Sequence, residues 1–228
     1  RLTPKLRAEA LTARGEQLDH LGRAAAAQAD FQQALALSPG APEVLGALAV
    51  NALLRGANDE AVGHASAALA AAPSDMGPRY TRAYAHYFRQ AWGPAQDDLG
   101  QILASRGEVE RSYAQIWLYL ANRRAGGDGL TAIAPHGATA SQPGWPHPVL
   151  QYLKGAANLD SALAAARDDG KPDPGKLCEL YFYAGQKAVL DGDLRLARQY
   201  LQKSVDTGVI EFNEYPMAQR ELEALRGR

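Results

Sequence analysis

Residues 31–39 read FQQALALSP and residues 65–73 read ASAALAAAP, so two Ala/Leu-rich runs each end on a proline, Pro39 and Pro73, 34 positions apart. Proline lacks the amide proton that would continue a helix, so each marks an exit from one. Counting back from the two prolines defines a unit from Ala8 and a second from Pro42. In the first, Gly15, Leu18, Gly22, Ala27, Phe31, Ala34 and Pro39 take unit positions 8, 11, 15, 20, 24, 27 and 32. Ala49, Ala52, Gly56, Ala61, Ala65, Ala68 and Pro73 take the same seven in the second. A third unit from Met76 keeps Ala83, Ala95, Leu99 and Ile102 at positions 8, 20, 24 and 27.

Three consecutive units in this register resemble the tetratricopeptide repeat, a helix-turn-helix stacked in tandem. Small residues at positions 8 and 20 let the two helices of a unit cross closely. Gly22 and Gly56, just past the first helix, supply the left-handed cap that turns the chain back. In the third unit Gln90 replaces the glycine, which predicts that the turn moves to Trp92-Gly93 with Pro94 opening the next helix. A further unit lies near the C-terminus, with Tyr181, Gly185, Ala188, Gly192, Ala197, Leu201 and Ser204 at positions 4, 8, 11, 15, 20, 24 and 27 and Asp193 suited to start its second helix. Tyr215 to Leu225 reads as a closing helix that covers the open face of the last unit.

Between these the register dissolves. Ser112 to Arg124 carries Tyr113, Ile116, Trp117 and Leu120 at helical spacing. GGDG at 126–129 and PHGATASQPGWPHP at 135–148 cannot sustain a helix. Helical patterns resume at Val149–Lys154 and Leu159–Arg167, then break over 168–175. The expected architecture is all-α: one tetratricopeptide domain over 1–228, a right-handed superhelix with repeats at 8–41, 42–75, 76–109 and 177–210. A degenerate, loop-rich unit spans 110–175 and a capping helix spans 211–228.

Composition narrows the function. Lys plus Arg (24) and Asp plus Glu (25) leave a net charge of -1, so no global field draws a phosphate backbone or an anionic membrane, and nucleic acid is excluded as a partner class. Alanine supplies about one residue in five, which suits close helix packing. The single cysteine, Cys178, allows no internal disulfide and reads as a small buried hydrophobe. No apolar run approaches the roughly 18 residues of a membrane span. The chain opens Arg1-Leu2-Thr3-Pro4, without the apolar core of a signal peptide, so a removed leader is expected.

Four stretches carry a closer resemblance: RYTRAYAHYFRQAWGPAQDDL (79–99), IWLYLANR (116–123), GWPHPVLQYLKG (144–155) and ELYFYAGQKAVLDGDLRLARQYLQKSVDTGVIEFNEYPMAQREL (179–222). In element order they resemble the NlpI family of bacterial lipoproteins over roughly residues 8–226. The last forty residues are the most specific part. The resemblance implies a periplasmic or outer-membrane-tethered adaptor that forms homodimers and scaffolds a tail-specific protease and peptidoglycan hydrolases. It also implies a membrane attachment only through a lipid anchor, which is expected to lie outside these residues, since no lipobox cysteine is among them.

On the first helices of such a fold, positions 2, 5, 9 and 12 line the concave surface. They give Thr12, Glu16 and Asp19 in the first repeat, Val50 and Leu53 in the second, and Tyr80, Tyr84 and Tyr87 in the third. The expected partner-binding residues are therefore Tyr80, Tyr84, Tyr87, Val50, Leu53, Glu16 and Asp19, an aromatic and apolar groove with an acidic first repeat. The Lys and Asn pattern of chaperone-carboxylate receptors is absent, since positions 5, 6 and 9 hold Thr12, Ala13 and Glu16, then Gly46, Ala47 and Val50. No catalytic, cofactor-binding or metal-ligating set is expected. His20, His64 and His86 fall on separate repeats, and His136 and His147 have no further ligand at metal spacing. Asp97-Asp98 and Asp168-Asp169 are sequence neighbours that read as helix surface and turn. Trp145 reads as an anchor for its loop, with Pro146 starting the next helix. These features favour a non-enzymatic scaffold for protein or peptide clients. The alternative is a structural or assembly subunit of a bacterial envelope or secretion complex.

Overall fold

Residues 4–104 run through six helices arranged as three hairpins: α1 (Pro4–His20) with α2 (Ala24–Leu37), α3 (Pro42–Leu54) with α4 (Asn58–Ala71), and α5 (Met76–Phe88) with α6 (Trp92–Ala104). The structure, a computed structural model, describes residues 2–104, 108–136 and 144–227, with the side chains of 108–110 set apart. The end of the third repeat at 105–107 and the middle of the Pro/Gly-rich stretch at 137–143 lie outside the described residues. Residues 1–98 and 99–228 form two compact bodies.

The hairpin turns explain the register. Gly22 (φ +69°) donates to Asp19 O at 2.8 Å and Arg23 to Leu18 O at 2.8 Å; Gly56 (φ +78°) donates to Leu53 O at 3.0 Å and Ala57 to Ala52 O at 2.9 Å. Both are the paired-bond cap that needs a left-handed residue after the helix. Gln90 makes the same two bonds, Gln90 N to Tyr87 O and Ala91 N to His86 O, both 2.9 Å, at φ +60°. The turn therefore does not move to Trp92-Gly93, because helix packing fixes its position and a non-glycine residue adopts the left-handed conformation. Trp92 and Gly93 instead open α6, with Pro94 in its first turn.

Small residues stand where close crossing requires them. Ala27, Ala61 and Ala95 at position 20 are buried. A Cβ at Gly15 would collide with the buried ring of Phe31, so glycine at position 8 admits that ring between α1 and α2. Burying such a ring is worth about 2 kcal/mol.

Asp98 was expected on a helix surface. It is 2% exposed, accepts from Arg82 Nε at 2.8 Å and Nη2 at 2.7 Å, and lies 3.6 Å from Arg79 Nη1. Arg14 and Asp30, 68 residues earlier at both ends, repeat the bidentate pair at 2.6 Å. Repeats one and three thus tie their helices with a position 7 to position 23 ion pair, where repeat two has Leu48 and His64. The guanidinium of Arg14 holds the Asp30 carboxyl below its ordinary value.

In the C-terminal body, α7 (Glu108–Arg124) is followed by α8 (Leu130–Ile133) and a 3-10 turn (Ala134–His136). Next come α9 (His147–Leu153), α10 (Leu159–Ala165), α11 (Pro174–Leu190), α12 (Leu194–Asp206) and α13 (Glu214–Leu225). The break over 168–175 contains a two-stranded hairpin, Arg167–Asp168 paired with Lys171–Pro172, turned by Asp169 and Gly170 with φ of +47° and +74°. Asp-Gly at the centre of such a turn is its usual chemistry. The α11–α12 turn repeats the paired-bond cap at Gly192, three repeat lengths after Gln90. The interval between these two turns therefore leaves room for two further repeats, one started by α7 and one containing α9 and α10. Asp193 caps α12 by accepting from Leu196 N at 2.9 Å.

The core of this body is aromatic. Trp117 on α7 meets Tyr183 of α11 edge-on at 5.8 Å and donates from Nε1 to its hydroxyl at 3.1 Å; Phe182 lies 6.0 Å from the same indole. Tyr183 donates onward to Glu214 of α13 at 2.9 Å. Nearby, Glu179 accepts from the Tyr113 hydroxyl at 2.8 Å and from Trp145 Nε1 at 2.5 Å. Trp145 does anchor its loop, and its partner is a buried carboxylate. Cys178 is buried in α11, where burial pushes its thiol up, as expected of a structural cysteine.

Candidate binding surface on the first helices

Positions 2, 5 and 9 of the first helices recur on one face because they are three and four residues apart. Between α1 and α3 this face opens into a cleft of about 400 Å³ whose lining includes Lys5, Glu9, Thr12, Glu16, Glu43 and Val44. Three carboxylates against one ammonium make it acidic. Glu16 lines it. Glu9 and Glu43 both occupy position 2 and were legible from the same rule, though only positions 5, 9 and 12 yielded named candidates.

On α5, Tyr80 and Tyr84 are half-buried with ring centroids 5.8 Å apart. Val50 on α3 is also half-buried. These side chains keep surface for a partner.

Position 12 is different. Asp19, Leu53 and Tyr87 are 8%, 1% and 2% exposed. Asp19 accepts from Asn51 Nδ2 at 2.7 Å; the same amide nitrogen donates to Ala24 O at 2.9 Å, and Arg55 Nε donates to Asn51 Oδ1 at 2.9 Å. This chain fastens the end of α1 to α3 across the repeat boundary. Burial pushes the Asp19 carboxyl up to about 6 against the opposing pull of Asn51. Tyr87 packs edge-on against Phe88 and Trp92 at 5.3 and 5.2 Å. The last turn of a first helix is where packing closes over it, so these three residues hold the fold and offer a partner little surface.

Among the described residues no helix is long and apolar enough to cross a membrane, and no group of three or more His, Cys, Asp or Glu side chains could hold a metal ion.

Recurring hairpins with one cap geometry and a 34-residue period define an all-α tetratricopeptide-type fold. No family model matches the sequence. The chain is similar in fold to the crystal structure of a tetratricopeptide repeat protein from Parabacteroides merdae, at 16% identity and a TM-score of 0.49 over 97% of this chain and 99% of that one. It is also similar to a thermophilic tetratricopeptide protein in Thermus thermophilus, at 17% identity and a TM-score of 0.46 over 97% of this chain and 100% of that one.

Proposed function

We propose that the protein is a non-enzymatic scaffold that holds protein or peptide clients on the first-helix face of its N-terminal repeats. The observation that carries this is the α1–α3 cleft, which Glu9, Glu16 and Glu43 line together with Thr12 and Val44. Three carboxylates with one opposing cation favour a segment bearing Lys or Arg, and the half-buried Tyr80–Tyr84 pair supplies amphipathic rings suited to protein contacts. The resemblance to the NlpI family extends the reading to an envelope adaptor, tethered in the periplasm through a lipid anchor, dimeric, with a tail-specific protease and peptidoglycan hydrolases among its clients. Holding two clients on one scaffold raises their effective concentration. Light scattering giving twice 24.4 kDa supports the dimer, and a concentration-independent 24.4 kDa species removes it.

The experiment is selection from a random nonapeptide library. Enrichment of Lys- and Arg-bearing peptides that bind the wild type and lose affinity at least tenfold on Glu9→Lys/Glu16→Lys supports the scaffold. Unbiased recovery, or equal binding by that variant, rejects it. A permanent subunit would present a contiguous apolar face. The exposed large apolar side chains among the described residues include Leu2, Leu6 and Leu21 in one body and Leu130 and Ile210 in the other.

A further inference from the structure

The C-terminal body carries a second cleft of opposite charge. It lies between α12 and α13, has a volume of about 670 Å³, and is lined by Arg198, Gln199, Gln202, Lys203, Leu222 and Arg226. Positions 198, 199, 202 and 203 share one face of α12, and Leu222 in the last turn of α13 is followed one turn later by Arg226, the residue that caps that helix. Among the described residues three cations and no carboxylate line it, in a chain whose net charge is -1.

Two of the cations are held in place. Arg198 Nη2 donates to Leu225 O at 2.8 Å, which fixes its guanidinium at the C-terminal end of α13. Lys203 Nζ sits 5.3 Å from the centroid of the Tyr181 ring. Side chains already ordered lose less entropy when a ligand binds. Gln202 donates to Asp206 at 2.8 Å and keeps its carbonyl oxygen as an acceptor.

The lining chooses among anions. A single nucleic-acid strand gains much of its affinity from bases stacked on aromatic rings, and among the described residues no aromatic one lines this cleft. A phosphate needs donors only, whereas Gln199 and Gln202 each offer a donor and an acceptor, the complement of a peptide backbone. Leu222 adds an apolar spot for a side chain. The volume lies in the range of sites that enclose a small ligand or a few residues.

We propose that the α12–α13 cleft is a binding site for an acidic peptide segment of a partner protein, its carboxylates paired with Arg198, Lys203 and Arg226 and its backbone with Gln199 and Gln202. This site is independent of the first-helix surface and takes the opposite charge.

The test is fluorescence anisotropy with labelled EELEEL, with QQLQQL, oligothymidylate and inorganic phosphate as comparators. The wild type binds EELEEL at least tenfold tighter than QQLQQL, with affinity falling as salt rises. Lys203→Glu/Arg226→Glu loses at least tenfold, while Lys154→Glu/Lys171→Glu, an equal charge change at exposed sites elsewhere in the same body, keeps the wild-type value. Glu9→Gln/Glu16→Gln, which weakens the first cleft without making it basic, leaves EELEEL binding intact, so the two sites stand or fall separately. Equal binding of EELEEL and QQLQQL, equal loss in both double variants, tighter binding of oligothymidylate, or full displacement by millimolar phosphate overturns the proposal. Arg198 is left unchanged because it also holds the end of α13. Circular dichroism of each variant confirms that loss of binding is not loss of fold.

Discussion

Glu179 is the residue whose environment is most at odds with its chemistry. It is 6% exposed, and burial together with the neighbouring charge of Glu214 pushes its carboxyl up to about 7, against the pull of Trp145 and Tyr113, which both donate to it. Glu214 is raised as well, chiefly by burial. A carboxyl raised in the fold stabilises it most while protonated. That contribution is complete below the ordinary value of 4.5 and is lost as pH climbs through about 7. Unfolding free energy should fall across this window, at up to about 1.4 kcal/mol per pH unit for one proton. Glu179→Gln keeps an acceptor for Trp145 and carries no charge. It should flatten that slope in urea titrations between pH 5 and 8, and at pH 8 gain on the order of 2 kcal/mol over the wild type. An unchanged slope would show that Glu179 is not the titrating group.

At the scale of the element, the hairpin turn is the repeating device. Gly22, Gly56 and Gly192 make it with the residue suited to a left-handed conformation; Gln90 makes the same bonds at greater cost. Left-handed backbone costs a side-chain-bearing residue roughly 1–2 kcal/mol, partly offset by the greater freedom of glycine in the unfolded chain. Gln90→Gly should therefore raise stability by about 0.5 kcal/mol, and Gly56→Gln should lower it by about 1 kcal/mol. Thermal melts of the two variants that move in the same direction would contradict a shared turn. The turns also show what was legible in the sequence. Glycine and proline spacing gave the register because a backbone constraint recurs at a fixed interval. Gln90 misled because the constraint there is met by a residue that does not advertise it. Asp98 was misjudged because its partners Arg79 and Arg82 sit one helix earlier, and adjacency to Asp97 carries no information about that pairing. The R/D recurrence at positions 7 and 23 was the available signal. The burial of position 12 was not legible because helical periodicity fixes a face and does not show where the next hairpin covers it.

For the molecule as a whole, charge nearly cancels, to -1, and is polarised locally: an acidic cleft on the first helices of one body and a basic cleft between the last two helices of the other. That distribution suits recognition of particular charged segments and supplies no general attraction for nucleic acid. The buried polar chains, Asp19–Asn51–Arg55 in one body and Trp117–Tyr183–Glu214 in the other, tie helices together and leave the clefts to differ in chemistry. The central claim is that clients are held by the first-helix face of the N-terminal repeats. The most direct measurement is hydrogen–deuterium exchange with and without the most enriched basic peptide. Added protection should concentrate in α1, α3 and α5, while the second helices α2 and α4 stay unchanged. Protection confined to those second helices, or none in residues 4–88, would contradict it.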